Sequence, residues 1–346
     1  MKLGPALVVA AAVVCCAIAV GSLFYQGNLP FQGYEESAAT VVIEQGDTAR
    51  AAARRLQQAG VIRSATVFRL LMRLRGADAR IHAGEYEFSG RLSPSQVLDR
   101  LVRGDVIKHR LTIPEGLRLD EIASTVASAG FSSREEILAA TRDPSPIADL
   151  DPRAADLEGY LFPDTYFFAR GVSAERIVHE MISRFRKEMT QEKLDRGEAL
   201  GLNVRQVVTL ASLVEEEARL DEERTRISAV FHNRLKSRML LQCDPTVVYA
   251  LIREGRYRGD IYRSDLAFRS PYNTYVHAGL PPGPICSPGA RSIDAALNPA
   301  QTRDLFFVVS GSGRHEFSTN IDDHEQAVRR YRRNLGVFNR RPPSSR

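Results

Sequence analysis

Apolar and polar positions alternate most clearly over Leu202–Leu220, LNVRQVVTLASLVEEEARL. At about 100° per residue, Val204, Val207, Leu210, Ala211 and Val214 gather on one side, which predicts an amphipathic helix. Asn203 stands where an N-cap belongs, with Gln206 three residues on as its capping-box partner. Leu202 and Val207 occupy the positions of a hydrophobic staple. The helix carries Glu215, Glu216 and Glu217 into its last turn. Glu216 points away from the apolar stripe, and Glu215 and Glu217 lie on its two flanks. A carboxyl held against apolar surface has a raised pKa, which a general acid near neutral pH requires. The wheel therefore sets Glu216 aside and leaves Glu215 and Glu217 level.

The same patterning divides the rest of the chain. Pro5–Tyr25 is uncharged for about 20 residues, enough to span a bilayer as a helix. Lys2 precedes it, and neither Lys nor Arg follows until Arg50, an asymmetry that favours a cytoplasmic N-terminus and an extracytoplasmic body. A cleaved signal peptide is the rival reading, and the length of the run favours a retained anchor. Beyond a tether at 26–40, Val42–Gly46 leads into a helical pattern ending Ala59-Gly60-Val61. Ile113–Gly116 leads into another ending Ala129-Gly130-Phe131, with the same spacing between glycines. The first copy continues through a helix near Ala65–Leu74, a strand at Gly84–Phe88 and a helix at Ser93–Val102. This β-α-α-β order is the layout of small glycan-binding modules.

Downstream, the aromatics of Glu158–Ala169 are expected in the core rather than against sugar rings. Arg176–Arg196 reads as one basic amphipathic helix. Glu222–Leu235 reads as another, with Ile227, Val230, Phe231 and Leu235 as its apolar side and His232 at the surface. Asp244 is placed to cap a helix beginning at Pro245. Ser287-Pro288-Gly289 opens a helix at Ala290–Leu297. Leu305–Val309 and His315–Ser318 pair across a turn at Gly311–Gly313. Arg329–Arg346 is basic, then Pro- and Ser-rich, and is expected to fray.

At 346 residues, with 44% hydrophobic and 26% charged, the chain supports about two ordinary domains. Its net charge of +5 is spread along the sequence. No nucleic-acid-binding motif accompanies it, while an anionic membrane or wall polymer suits it. Cys243 and Cys286 stand alone in the body; in an oxidising compartment they are candidates for a disulfide, and two buried thiols are the alternative. There is no P-loop, no GxGxxG after a strand and no HExxH, so neither a cofactor nor a metal is expected. What remains is a glutamate on a helix, loops rich in Tyr, Asn, Gln and Pro, and an extracytoplasmic body. That set fits glycosidic cleavage, which needs a protonated carboxyl at the leaving oxygen and planar groups to hold sugars.

LASLVEEEA, RISAVFHNRL, LQCDPTVVYAL, PYNTYVHAGLPPGPICSPG and FFVV…HEFS, preceded by IPEG and EGYLFPDTY, resemble the signature of the endolytic murein transglycosylases, the YceG-like family. The resemblance spans roughly residues 41–335 plus the anchor. It implies an α+β fold class: cytoplasmic residues 1–4, a transmembrane helix at 5–25, a linker at 26–40, a LysM-like βααβ module at 41–109, a mixed α/β catalytic domain at 110–335 and a flexible tail at 336–346. It implies a single-pass inner-membrane protein with a periplasmic body. The family's catalytic glutamate, the second of its V-E-x-E motif, falls on Glu217. Glu215 takes a supporting role and joins Asp244, Tyr272, Asn273 and Tyr275 as candidates for holding substrate. Cys243 and Cys286 depart from the family pattern, where small non-thiol residues are expected.

The reaction implied is not hydrolysis. Protonated Glu217 donates to the oxygen between N-acetylmuramic acid and N-acetylglucosamine, then takes the proton of the muramyl C6 hydroxyl as that group closes a 1,6-anhydro ring. Implied partners are peptidoglycan strands, the inner membrane and the peptidoglycan synthases; nucleic acid is not among them. A wall-binding scaffold and a hydrolytic muramidase are the alternatives.

Overall fold

The computed structural model describes residues 28–310 and 313–338, with positions 14–15, 17–18, 21–22 and 24–25 before them. Most of the expected anchor at 5–25 and the tail from 339 lie outside the described residues. Among the described residues no helix is long and apolar enough to cross a membrane. The chain divides into two compact units, residues 1–110 with 167–171, and residues 111–166 with 172–346.

The first unit is built from β1 (Ala38–Ile43), α1 (Ala49–Gln58), α2 (Ala65–Leu74), β2 (Gly84–Ser89) and α3 (Pro94–Arg103). Each helix starts at a hydroxyl cap. Thr48 accepts from Ala51 N–H, Ser64 from Val67 N–H, and Ser93 from Gln96 N–H in a complete capping box. β1 and β2 pair antiparallel, from Ala38 opposite Ser89 to Ile43 opposite Gly84. Alternation along β2 sends Tyr86 and Phe88 inward to join Leu56, Phe68, Met72, Leu98 and Leu101 in one apolar core. The βααβ order read from the sequence is therefore present, closed by a single antiparallel ladder.

After β3 (His109–Thr112) the chain continues through α4 (Leu119–Ser128), α5 (Arg134–Ala140), β4 (Thr165–Phe168), α6 (Ala174–Glu188), α7 (Gln191–Ala199), α8 (Val204–Glu217), α9 (Arg224–Lys236), α10 (Asp244–Arg253), α11 (Ala290–Leu297), β5 (Phe306–Val309), β6 (His315–Ser318) and α12 (Ile321–Phe338). The predicted hairpin is present, with Phe306 opposite Ser318 and Val309 opposite His315. Helix α8 is the hub, packed against α9, α10 and α11. Every residue from Val207 to Val214 is buried, including Thr209 and Ser212. The stripe drawn on the wheel is thus only part of its contact surface, because neighbours cover the flanks as well.

Three elements differ from the sequence reading. The expected helix at 176–196 is two helices, because Thr190 caps a fresh start by accepting from Lys193 N–H. His232 is buried, its Nε2 2.8 Å from the Ala296 carbonyl oxygen, instead of lying at the surface. The expected fraying after Arg329 is replaced by helix as far as Phe338; Asn320 bonds the Asp323 amide at its start, and Ala327 is buried.

The aromatic segment packs as core, with Tyr160, Phe162, Tyr166 and Phe168 buried, although Phe167 is 57% exposed. Within it Gly159 has φ +83°, and a Cβ there would meet Pro284 Cβ at 2.4 Å, so only glycine lets the two segments approach.

Candidate active site

The C-terminal turn of α8 presents its three carboxylates to three different environments. Asn203 and Gln206 form the predicted capping box and set the phase of the helix. Ser212 fixes the opposite side: its hydroxyl donates to the Thr209 carbonyl at 2.7 Å and accepts from Ile285 N–H at 3.1 Å. Two segments flagged in the sequence meet here. Gly116 N–H donates to the Ser287 carbonyl and Ser287 N–H to the Leu117 carbonyl, both at 2.9 Å, which zips IPEG against CSPG beside the glutamates.

Glu215 is not open to a ligand. One oxygen accepts from Arg224 Nη1 and the other from Gly289 N–H, each at 2.9 Å. Its part is to lock helices together, which corrects the expectation that it holds substrate directly.

Glu217 is half-buried at the edge of a cleft of about 490 Å³ lined also by Asp244, Tyr275, Arg234 and His315. Burial of its carboxyl pushes the pKa up to about 7. The Asp244 and Glu216 charges push the same way, while a hydrogen bond with the Cys243 thiol and the Arg219 charge oppose it. Near neutral pH the acid is thus present in both forms, as a group that first gives and then takes a proton needs.

Glu216 was set aside by the helical wheel, yet its long side chain reaches a second cleft, of about 340 Å³, with Arg118, Asp244 and Tyr249. Burial raises its pKa, and a hydrogen bond with the Cys286 thiol works against that rise. Asp244 borders both clefts. It sits in the first turn of α10, one residue inside the expected cap position, and accepts from the Tyr275 hydroxyl at 2.5 Å.

The remaining candidates fall elsewhere. Asn273 is 0% exposed. Its amide nitrogen donates to the Leu266 and Phe268 carbonyls at 3.1 and 2.8 Å, and its Oδ1 accepts from Tyr275 N–H at 2.9 Å. Asn273 therefore braces the loop that carries Tyr275 and has no polar atom left for a ligand. Tyr272 packs on Tyr249, with ring centroids 4.9 Å apart, and on the Arg253 guanidinium at 5.2 Å. Neither residue borders the Glu217 cleft.

Cys243 and Cys286 are free, buried thiols and do not pair. Burial raises both of their pKa values, and a different glutamate beside each pushes the same way, Glu217 for Cys243 and Glu216 for Cys286; the Cys286 thiol donates to the Ser212 carbonyl at 3.6 Å. Sequence reasoning missed this pairing of thiol and acid. It also missed Glu158, whose buried carboxyl accepts from Leu119 N–H at 3.1 Å and the Tyr249 hydroxyl at 3.2 Å and has its pKa pushed up to about 8. Arg234 carried a visible signal, since it falls on the stripe of Ile227, Val230 and Phe231, where a charge has no ordinary place.

A helix-borne carboxylic acid at an open cleft, with a carboxylate and a phenol beside it, can protonate a leaving oxygen of a polar polymer. The comparisons with known proteins converge on such an enzyme. The model of the YceG-like family matches residues 41–330. The chain is 32% identical over 338 residues to the endolytic murein transglycosylase of Bacillus subtilis, covering 90% of this chain and 91% of that protein. It is 29% identical over 330 residues to the endolytic murein transglycosylase of Streptococcus pneumoniae, covering 87% of this chain but 59% of the longer pneumococcal protein. A crystal structure of a yceG-like protein from Listeria monocytogenes superposes with a TM-score of 0.57 at 31% identity, covering 84% of this chain and 98% of that one. The chain belongs to the YceG-like family.

Proposed function

We propose that the protein cuts peptidoglycan strands internally, with Glu217 as its single acid and base. The class is that of its family: a peptidoglycan lytic transglycosylase. In the proposed reaction, protonated Glu217 gives its proton to the oxygen joining C1 of N-acetylmuramic acid to N-acetylglucosamine as that C1–O bond breaks. The muramyl C6 hydroxyl oxygen bonds to C1, and its proton returns to Glu217. No water is consumed, the strand ends in a 1,6-anhydromuramyl residue, and the acid is restored. A hydrolase needs a second free carboxylate as nucleophile or to activate water. Here Glu215 is committed to Arg224 and Gly289, Glu216 borders the second cleft, and Asp244, the other acid at the Glu217 cleft, accepts from Tyr275, which favours the one-acid route.

The observation that carries this reading is the Glu217 carboxyl, held near half-protonation at pH 7 on the edge of a cleft. Asp244 and Tyr275 are proposed to line the glycan path. The apolar run at 5–25 is proposed as a single-pass inner-membrane anchor, with the body in the periplasm close to peptidoglycan synthases, where cutting nascent strands limits their length. The βααβ unit is proposed as a LysM-like glycan-binding module.

Glu217→Gln tests the assignment. The isosteric amide cannot give a proton, so strand cleavage is expected to fall by at least about a thousandfold while glycan binding persists. A wall-binding scaffold would be indifferent to the change.

A further inference from the structure

The cleft that holds Glu217 also contains a guanidinium, Arg234, that makes no ion pair with a carboxylate among the described residues. Arg234 is 8% exposed. Its Nε donates to the Leu305 carbonyl at 2.6 Å, and its Nη1 to the carbonyls of Leu241 at 2.7 Å and Leu240 at 3.2 Å. Its remaining bond, at 3.5 Å, goes to the Gln242 side-chain oxygen. All of these acceptors are neutral. On the same helix Arg224 and Arg226 each have a carboxylate partner, and among the described residues Arg234 has none. Among the described residues its Nη2 has no hydrogen-bond partner, and it is not fully enclosed. Phe306 lies against the guanidinium, 5.0 Å from its ring centroid, and holds it in the cleft. Burying a guanidinium without a counter-charge is costly. One nitrogen is nonetheless left open beside Glu217.

The second cleft differs in this respect. Its cation, Arg118, is spent on its own neighbours, with Nε 3.1 Å from Asp120 and Nη2 3.0 Å from Glu121. Asp244 borders both clefts, with Glu217 at the first and Glu216 at the second. The two sugars of a peptidoglycan strand differ at one place. Muramic acid carries a 3-O-lactyl group, which ends in a carboxylate when the strand is bare and in an amide carbonyl when a stem peptide is attached. In both forms an oxygen acceptor is present that N-acetylglucosamine lacks.

We propose that Arg234 Nη2 binds this lactyl oxygen, so that the muramyl residue lies in the Arg234 cleft and N-acetylglucosamine in the Arg118 cleft. The direction in which a strand crosses Glu217 is then fixed by one donor. The inference rests on the glycan-cleaving reading above and adds a subsite and a polarity to it.

The test uses the full chain carrying Glu217→Gln, so that oligosaccharides bind without being cut. Three probes of equal length are titrated calorimetrically: a chitooligosaccharide, a bare MurNAc–GlcNAc oligomer, and the same oligomer bearing stem peptides. The lactyl-bearing oligomers are expected to bind at least about tenfold more tightly than the chitooligosaccharide, since a site built around a donor rejects a ligand without its acceptor. A carboxylate partner makes the bare oligomer the tightest, and a carbonyl partner makes the two lactyl-bearing probes equal; both results support the subsite. Adding Arg234→Lys should erase the preference, bringing the lactyl-bearing probes down to the affinity of the chitooligosaccharide for the same variant. Because that variant also loses carbonyl bonds, an oligomer with each 3-O-lactyl group replaced by 3-O-ethyl, which has no terminal oxygen, gives the same answer with Arg234 intact, and it should bind like the chitooligosaccharide. Equal affinity for all probes overturns the subsite alone. No binding of any probe overturns the glycan reading with it.

Discussion

Glu215 and Arg224 are joined at 2.9 Å between side chains only 7% and 10% exposed. The other Glu215 oxygen accepts the Gly289 amide at the start of α11. One carboxylate therefore ties the end of α8 to the beginnings of α9 and α11. An acid at a helix C-terminus faces the negative end of its own helix, and here a guanidinium and the N-terminus of a neighbouring helix offset that. Glu215→Ala leaves Arg224 buried with Asp221 as its remaining carboxylate. We expect a loss of about 3 kcal/mol, read from the urea midpoint. A shift within about 0.5 kcal/mol would contradict the locking role.

Asp244 bears on the pH profile. Its charge helps to raise the Glu217 pKa. The acid must begin protonated, so kcat/KM should fall as pH rises through about 7. Asp244→Asn removes the neighbouring charge and lowers that pKa, which moves the alkaline limb to lower pH. A limb that stays in place or moves upward would show that Asp244 does not act on the acid.

Glu158 ties stability to pH in an unusual direction. Its folded pKa is raised to about 8 from 4.5, chiefly by burial. Between these values the folded chain binds a proton that the unfolded chain has released, so stability falls as pH rises. The contribution is fully present below about 4.5 and lost by about 8. Glu158→Gln should flatten this slope, so that the variant loses less Tm than the parent between pH 5 and pH 8. Parallel Tm curves for the two proteins would argue against a buried, titrating carboxyl.

The two buried thiols make a simple chemical prediction. Cys243 and Cys286 are free and enclosed. Neither should react with a thiol reagent in the native protein, and both should react on unfolding without any reductant. A requirement for reductant would mean that they are joined.

How much of this was legible in the sequence depends on how local the cause is. The start of α8 was readable because Asn203, Gln206 and Val207 act on their own helix. The βααβ order was readable because Gly46 and Gly60 mark the turns on either side of its first helix, both with positive φ in the structure. The division at Thr190 was a cap hidden within a continuous basic amphipathic pattern. The fates of Glu215 and Asn273 are set by partners outside their own element, Gly289 and Arg224 for one and the carbonyls of Leu266 and Phe268 in the preceding loop for the other, which no periodicity records. Glu216 is exposed, as the wheel placed it, and still reaches the second cleft, because a wheel places Cβ atoms and the carboxyl extends well beyond them. His232 and Arg234 lie on a helix buried on most sides, where polar residues are held by carbonyls from α11, from the segment preceding α10 and from beside β5.

The most direct test of the account is mass spectrometry of the new chain ends formed when the protein is incubated with uncrosslinked peptidoglycan strands. One acid serving both proton transfers predicts 1,6-anhydromuramyl ends, cuts distributed along the strand, and their disappearance in Glu217→Gln. Reducing muramyl ends from the parent protein, or undiminished cutting by the variant, would contradict it.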